Sequence, residues 1–307
     1  MIRLIVCGAG KWGSYLTAYK LKEGCEIICF CDNDESKEGK EINGFMINKT
    51  ETVVSLMYDV IIIAAAGASA SILDQLLSLG VSREKIIFSY DPKMLQYCNS
   101  PLDMFFDIPK LPYKIRFEKK PAEARGEFKG ETFKSFERRK REGFFEKYCH
   151  GEGLDIGYGG DAILPDCAGW DIENGDAQSI AEVEDESFDF VYSSHCLEHI
   201  WDVREAIKNW FRAVKKGGYL IIAIPDRDLY EKKKSLPSRW NGDHKHMFLI
   251  GKAEFPDTLD IVEEVRNSIE NYQIEYVKRC DEGHTIIDPL KHSNGEYQIE
   301  MVIKKLS

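Results

Sequence analysis

No apolar stretch of the chain is long enough to cross a bilayer: the longest candidate, Val60 to Leu79, is interrupted by Gly67, Asp74 and Gln75. No Cys-x-x-Cys pair occurs among the nine cysteines, at positions 7, 25, 29, 31, 98, 149, 167, 196 and 280, and several lie inside apolar runs. Neither a zinc site nor a disulfide framework is expected, and the thiols read as buried and reduced. The apolar start, Met1 to Cys7, meets a glycine turn too soon for a secretory leader, so the expected location is cytoplasmic. A basic excess is missing too. The 52 acidic and 41 basic side chains leave −11, and residues 151–307 alone hold 31 acidic against 18 basic. Such a field repels a polyanion, which excludes nucleic acid as the expected partner. What is present is a soluble composition, 43% apolar and 30% charged over 307 residues, enough for two cores of ordinary size.

The front of the chain reads strand, tight turn, helix. Arg3 to Cys7 is apolar, Gly8-Ala-Gly10-Lys-Trp-Gly13 follows, and a helical pattern runs from Tyr15 to Lys22. A second strand, Glu26 to Cys31, ends in Asp32, near the spacing at which a carboxylate meets a ribose hydroxyl. Gly8, Gly10 and Gly13 then serve the turn, the approach of a phosphate and the close packing of the helix. A turn that merely joins strand to helix, with no ligand, remains the alternative. Asp59 to Ala65 and Lys85 to Phe88 supply further strands, the first followed by a helix through Leu79. Over residues 1–95 the sequence resembles the small nucleotide-binding domains that precede sugar-modifying modules in bacterial surface-polysaccharide enzymes. The carboxylate of Asp32 disfavours a 2′-phosphate, so NAD or a nucleotide sugar is the expected ligand rather than NADP.

Residues 98–130 read as a linker, since 92–131 hold five of the ten prolines. From Glu131 a helical pattern places Phe133, Phe136, Phe144 and Phe145 on one face and Arg138-Arg-Lys-Arg141 on the other. The cations are expected on a solvated face, with contact to an anionic substrate as the alternative.

Gly153-Leu-Asp-Ile-Gly157-Tyr-Gly159-Gly160 is an apolar strand with an embedded acid that ends in a glycine turn. Gly169-Trp-Asp171, Gly175-Asp-Ala177 and the strand Phe188 to Ser194 follow in order. Then come His195-Cys-Leu-Glu198-His199, a helix from Val203 to Val214, and Lys215-Lys-Gly-Gly followed by the strand to Pro225. With Tyr272 to Cys280 and Glu296 to Lys304 as a final antiparallel pair, residues 131–305 resemble class I S-adenosylmethionine-dependent methyltransferases, of the type 11 kind.

The resemblance implies S-adenosylmethionine as cofactor, with Asp155, Gly157 and Gly159 shaping the turn around its methionine part. It implies Asp171 on the ribose hydroxyls, Asp176 and Ala177 on the adenine, and His195 lining the cofactor. One departure stands out: ten residues separate Gly157 from Ala168, where the family has a full helix. His199, at the carboxyl end of the fourth strand, and His244 are the candidate bases. His244 lies in Arg239-Trp-Asn-Gly-Asp243-His244-Lys-His246, within the insertion after the fifth strand, where Trp240 can stack on a sugar ring. No metal is assigned; the alternative is a divalent ion held by Asp243, His244 and His246 with Glu198 or His199. Nearby, Tyr230 to Ser235 reads as an exposed helix end.

The expected protein is α/β, with two doubly wound Rossmann-like domains, 1–97 binding a nucleotide and 131–307 a class I methyltransferase domain with an antiparallel last strand. The expected activity is O-methylation of a sugar, nucleotide sugar or similar small polar acceptor in surface polysaccharide biosynthesis, and self-association is left open. The alternatives are a sensor or scaffold that binds S-adenosylmethionine without turnover, and a bifunctional chain with an NAD-dependent front domain. The front domain lacks the Tyr-x-x-x-Lys that would serve hydride transfer as its acid.

Overall fold

Short β-branched runs become parallel strands in both halves of the chain, because a strand covered on both faces must be apolar throughout. The computed structural model describes residues 1–112, 115–122 and 131–307. They separate into two units, 1–111 and 112–307.

In the first unit the sheet runs Glu41–Ile42, Phe45–Asn48, Cys25–Cys31, Ile2–Cys7, Val60–Ile63, Ile86–Phe88. All pairs are parallel except the hairpin at the Glu41 edge. This is a doubly wound order with Ile2–Cys7 at its centre. The first helix is shorter than its apolar pattern, Lys11–Leu16, because Lys20–Leu21 leaves it to pair antiparallel with Phe106–Asp107. That pairing belongs to a stretch expected as linker. Leu102, Phe105, Phe106 and Ile108 are buried in one core with Leu4, Val6, Phe30 and Ile62.

In the second unit the order is Ala168–Trp170, Gly153–Ile156, Phe188–Ser194, Val214–Pro225, Gln298–Lys305, Tyr272–Cys280. The first four are mutually parallel, and Gln298–Lys305 runs antiparallel to both of its neighbours. The helix Val203–Ala213 is started by Asp202, whose carboxylate accepts from the Glu205 amide, and it buries Ile207, Trp210 and Phe211. Residues 115–122, also expected as linker, lie along the Ala168–Trp170 edge. The Ala122 amide donates to the Cys167 carbonyl (2.7 Å), that of Ile115 to Glu173 (2.9 Å), and Phe117 packs on Trp170 at 5.3 Å. The rest of the expected linker, 113–114 and 123–130, lies outside the described residues.

The first half of the basic run overturns the expectation of a solvated face, while Lys140 and Arg141 stay exposed. The aromatic and cationic pattern forms three short helices, Glu131–Lys134, Phe136–Arg141 and Phe144–Tyr148. Arg138 and Arg139 point inward. Arg138 donates to both oxygens of Glu296 (2.9 Å each at best) and to Glu300, while Arg139 donates to Glu300 (2.7 Å) and to the Tyr192 hydroxyl (2.8 Å). Burial raises the Glu300 carboxyl, but Arg139 and Arg138 outweigh it and hold the group at about 2. Glu300, with no solvent exposure, is shared by both guanidinia, and with Glu296 it offsets their loss of water. Glu300→Gln, which strands part of both cations, is expected to destabilise the chain by roughly 3–5 kcal/mol in urea denaturation.

Candidate cofactor and acceptor site

The turn after Gly153–Ile156 sits at the carboxyl end of the parallel strands. Gly157 has φ +74°, and a Cβ there would lie 2.7 Å from the Cβ of Cys196, so the backbone of this turn passes directly over the loop that follows Phe188–Ser194. The Gly157 amide donates to the Trp170 carbonyl (2.8 Å), which brings Asp171, the next residue, beside the turn. Asp155, Gly157, Gly159, Asp171 and the 195–196 loop are thus gathered at one edge of the sheet.

Their side chains differ in what they face. Asp155 is buried and points inward, accepting from the Ile163 amide at 2.8 Å. No helix forms between Gly157 and Ala168; the segment is a set of turns, and Asp155 holds it by that amide. Asp171 accepts from the Ile172 amide and Asp176 from the Gln178 amide. Ala177 is tied to the helix Val203–Ala213 by Trp210, whose Nε1 donates to the Ala177 carbonyl at 2.7 Å. Burial pushes the Asp155 carboxyl up to about 8.

Beyond Cys196 the chain makes a single 3₁₀ turn, Leu197–His199. Its Glu198 is 1% exposed, and neither carboxylate oxygen makes a hydrogen bond among the described residues. The insertion after Val214–Pro225 folds onto this turn: the Lys245 and His246 amides donate to the Glu198 carbonyl (2.7 and 3.3 Å). His199 Nδ1 faces Asp243 (3.0 Å) and His244 Nδ1 faces Glu231 (3.0 Å), while both Nε2 atoms approach Glu198 Oε1, at 4.0 and 3.8 Å. His195 joins from the other side, its Nδ1 3.7 Å from Glu198 and its Nε2 3.3 Å from Gln298. Burial holds His195 down at about 4, so it is neutral at physiological pH. An aromatic group adjoins the histidines: Tyr230 lies 5.5 Å from His244 and 5.1 Å from Tyr297, and Trp240 lies 5.4 Å from His292.

One expectation for the insertion fails, and the alternative ion set is only partly brought together. Tyr230 and Glu231 are buried rather than an exposed helix end, since Glu231 is needed behind His244. His246 is turned to the Trp201 carbonyl (3.0 Å) and Asp243 stands behind His199, so the cation set Asp243, His244 and His246 does not converge. Glu131, Glu231, Tyr297 and Gln298 were not legible as site residues; they come from a helix start, a lysine-rich stretch and the last strand.

In the first unit, Gly13 packs so close on Gly8 that no side chain fits there. Asp32 Oδ2 accepts from the Ala9 amide (2.8 Å) and from Lys37 (2.9 Å), and Oδ1 from the Asp34 amide (2.9 Å). The carboxylate expected to meet a ribose therefore already clamps the glycine turn to the second strand. Gly10 has open space where its side chain would be.

A family model described as C2185-like, N-terminal, matches residues 1–87, and one described as a methyltransferase domain matches residues 154–222. No curated protein matches the chain. Similar solved structures include RSP in complex with β-NAD+ and operator DNA, at 20% identity over 29% of this chain and 49% of that one, TM-score 0.25. They also include a SAM-dependent methyltransferase from Thermotoga maritima (22% identity, 56% and 97% coverage, TM-score 0.32). Another, from Archaeoglobus fulgidus, has 17% identity, 55% and 92% coverage and a TM-score of 0.36. The chain spans about half the length of the first of these. No helix among the described residues is long and apolar enough to cross a membrane.

The Asp155 carboxyl gives a pH test. Its folded pKa lies above the ordinary value near 4, so its share of stability is full below about pH 4 and is lost as pH rises through about 8. Asp155→Asn, which keeps an acceptor for the Ile163 amide, is expected to flatten the decline of the melting temperature between about pH 4 and 8, measured without cofactor.

The methyltransferase-domain match begins one residue before Asp155 and ends within Val214–Pro225. It covers the glycine turn, Asp171 and the His195–His199 loop, on a sheet with the class I methyltransferase arrangement, so a methyltransferase domain is what this part of the chain is similar to.

Proposed function

We propose that the enzyme transfers the methyl group of S-adenosylmethionine to a hydroxyl oxygen of a small polar acceptor, with a sugar or nucleotide sugar as the acceptor class. The donor's methionine part lies against the turn at Gly157 and Gly159, Asp171 accepts from the ribose hydroxyls, and Asp176 with the Ala177 amide reads the adenine. Asp155 acts indirectly, by holding the turn through Ile163.

The observation that carries the acceptor class is the pair His199 and His244, each with Nδ1 on a carboxylate, next to the loop that packs under Gly157. That arrangement fixes the tautomer with Nε2 as the lone-pair atom. The sulfonium makes the methyl reactive by itself, so positioning supplies much of the rate. A proton acceptor is needed when the nucleophile keeps its proton, as an alcohol does at neutral pH. The oxygen attacks the methyl carbon, the C–O bond forms as the C–S bond breaks, S-adenosylhomocysteine leaves, and the hydroxyl proton passes to an imidazole Nε2. Trp240, half-buried beside His292, offers an aromatic face of the kind that packs on a sugar ring. The glycine turn of the first unit supports a nucleotide there, with NAD or a nucleotide sugar as the ligand, which would meet a carboxylate already shared with Lys37.

The test is release of S-adenosylhomocysteine by the full chain across a panel of nucleotide sugars and polyols. Turnover on a hydroxylated acceptor is expected; tight donor binding with no release on any of them would assign the chain to the sensor class. Asp171→Ala is expected to weaken donor binding at least tenfold in calorimetry. His244→Asn is expected to lower turnover by about 10²–10⁴-fold with donor affinity unchanged.

A further inference from the structure

Three groups in the acceptor site point lone pairs at one place. With Nδ1 of His199 on Asp243 and Nδ1 of His244 on Glu231, each ring carries its proton on the side away from the site. Both Nε2 atoms then present lone pairs toward Glu198 Oε1, at 4.0 and 3.8 Å. Glu198 is itself 1% exposed, and neither of its oxygens receives a hydrogen bond among the described residues. A buried carboxylate in that condition is costly, because it has given up water without a donor in exchange. The separations are too long for a hydrogen bond between histidine and carboxylate. They suit a body placed between them: an ion about 2.0–2.2 Å from each donor sets its ligand atoms roughly 3–4 Å apart. The three ligand atoms of Glu198, His199 and His244 all lie within 4.8 Å of one another.

We propose that Glu198, His199 and His244 form a binding site for a divalent transition-metal ion, with both imidazoles binding through Nε2 and Asp243 and Glu231 orienting them from behind. Two imidazoles and a carboxylate favour zinc, cobalt, manganese or iron(II) over calcium or magnesium, which prefer oxygen alone. His195 Nδ1, 3.7 Å from the same oxygen, stands where a fourth donor would. The orienting carboxylates separate this from a chance histidine cluster. The three ligands come from a 3₁₀ turn and an insertion pinned to it by two backbone hydrogen bonds, so their spacing does not depend on a mobile side chain alone.

The inference uses the site described under the proposed function but not its acceptor. Without an ion the imidazoles take the proton of the hydroxyl. With one, Glu198, His199 and His244 would hold the ion instead of taking a proton, and the ion would supply Lewis-acid activation to a hydroxyl in its open position.

The experiment is a titration of the full chain, stripped with a chelator and dialysed, with Co²⁺ alone, followed by calorimetry and visible absorption; Zn²⁺ competition serves as a second readout. One equivalent of Co²⁺ with d–d bands of a low-coordinate site is expected. Glu198→Ala and His244→Ala are expected to weaken binding at least a hundredfold. Asp243→Asn, at a half-exposed side chain, is expected to weaken it about 10–100-fold with the fold retained by circular dichroism, since the amide keeps the shape of the group but holds His199 and Lys245 less strongly. No Co²⁺ bound by the stripped wild-type chain, or binding unmoved by Glu198→Ala and Asp243→Asn, would overturn the site. Methyl transfer in a preparation that binds no Co²⁺ would remove the ion and leave the proposed reaction standing; Co²⁺ binding with no transfer to any hydroxylated acceptor would remove the acceptor and leave the ion.

Discussion

Two arginines buried against two glutamates hold the last strand of the second unit and the helices before its sheet together. Arg138 and Arg139 cannot leave water without Glu296 and Glu300, and those glutamates sit on the strand segment that also carries Tyr297 and Gln298. The ion network therefore sets the helix Glu131–Lys134 against the last strand. As a result Glu131 accepts from the Tyr297 hydroxyl, Gln298 reaches both Ser135 and His195, and Lys134 meets Tyr297. A buried ionic cluster is weak evidence of net stability, but it admits few alternative arrangements of the groups around it. Here those groups adjoin the cluster of Glu198 and the histidines.

The cofactor side rests on backbone geometry instead. The left-handed Gly157 and the Cys196 side chain occupy the same space, and Asp155 fixes the turns that replace the family's first helix. The two sides meet at Cys196: one residue packs under the turn, and two residues later Glu198 faces the histidines.

What could be read in advance followed from local pattern. The strands Phe188–Ser194 and Tyr272–Cys280 and the glycine turns are written in neighbouring residues, and so is the missing helix, as a simple shortage of residues before Ala168. His195 and His199 were legible because they follow the carboxyl end of a parallel strand, and His244 because it lies in the polar insertion after the fifth strand. Their carboxylates were not. Glu231 lies in Tyr-Glu-Lys-Lys-Lys and looks solvent-exposed; its burial depends on the insertion folding back so that His244 lies against it. Four consecutive cations likewise read as surface, because the two acids that admit Arg138 and Arg139 to the interior come from the last strand. In the first unit Asp32 has the spacing expected for a ribose contact, and it also accepts from Ala9, Asp34 and Lys37, contacts that depend on how the loop after it curls back.

The stretch 115–122 has an effect at a distance from the chemistry. By donating Ala122 to Cys167 and laying Phe117 over Trp170, it closes the side of the sheet where a further strand would otherwise attach. An uncovered row of amides and carbonyls there would recruit the same row from another molecule. Sheathed in this way, the flank of the sheet offers no template for stacking one copy onto the next.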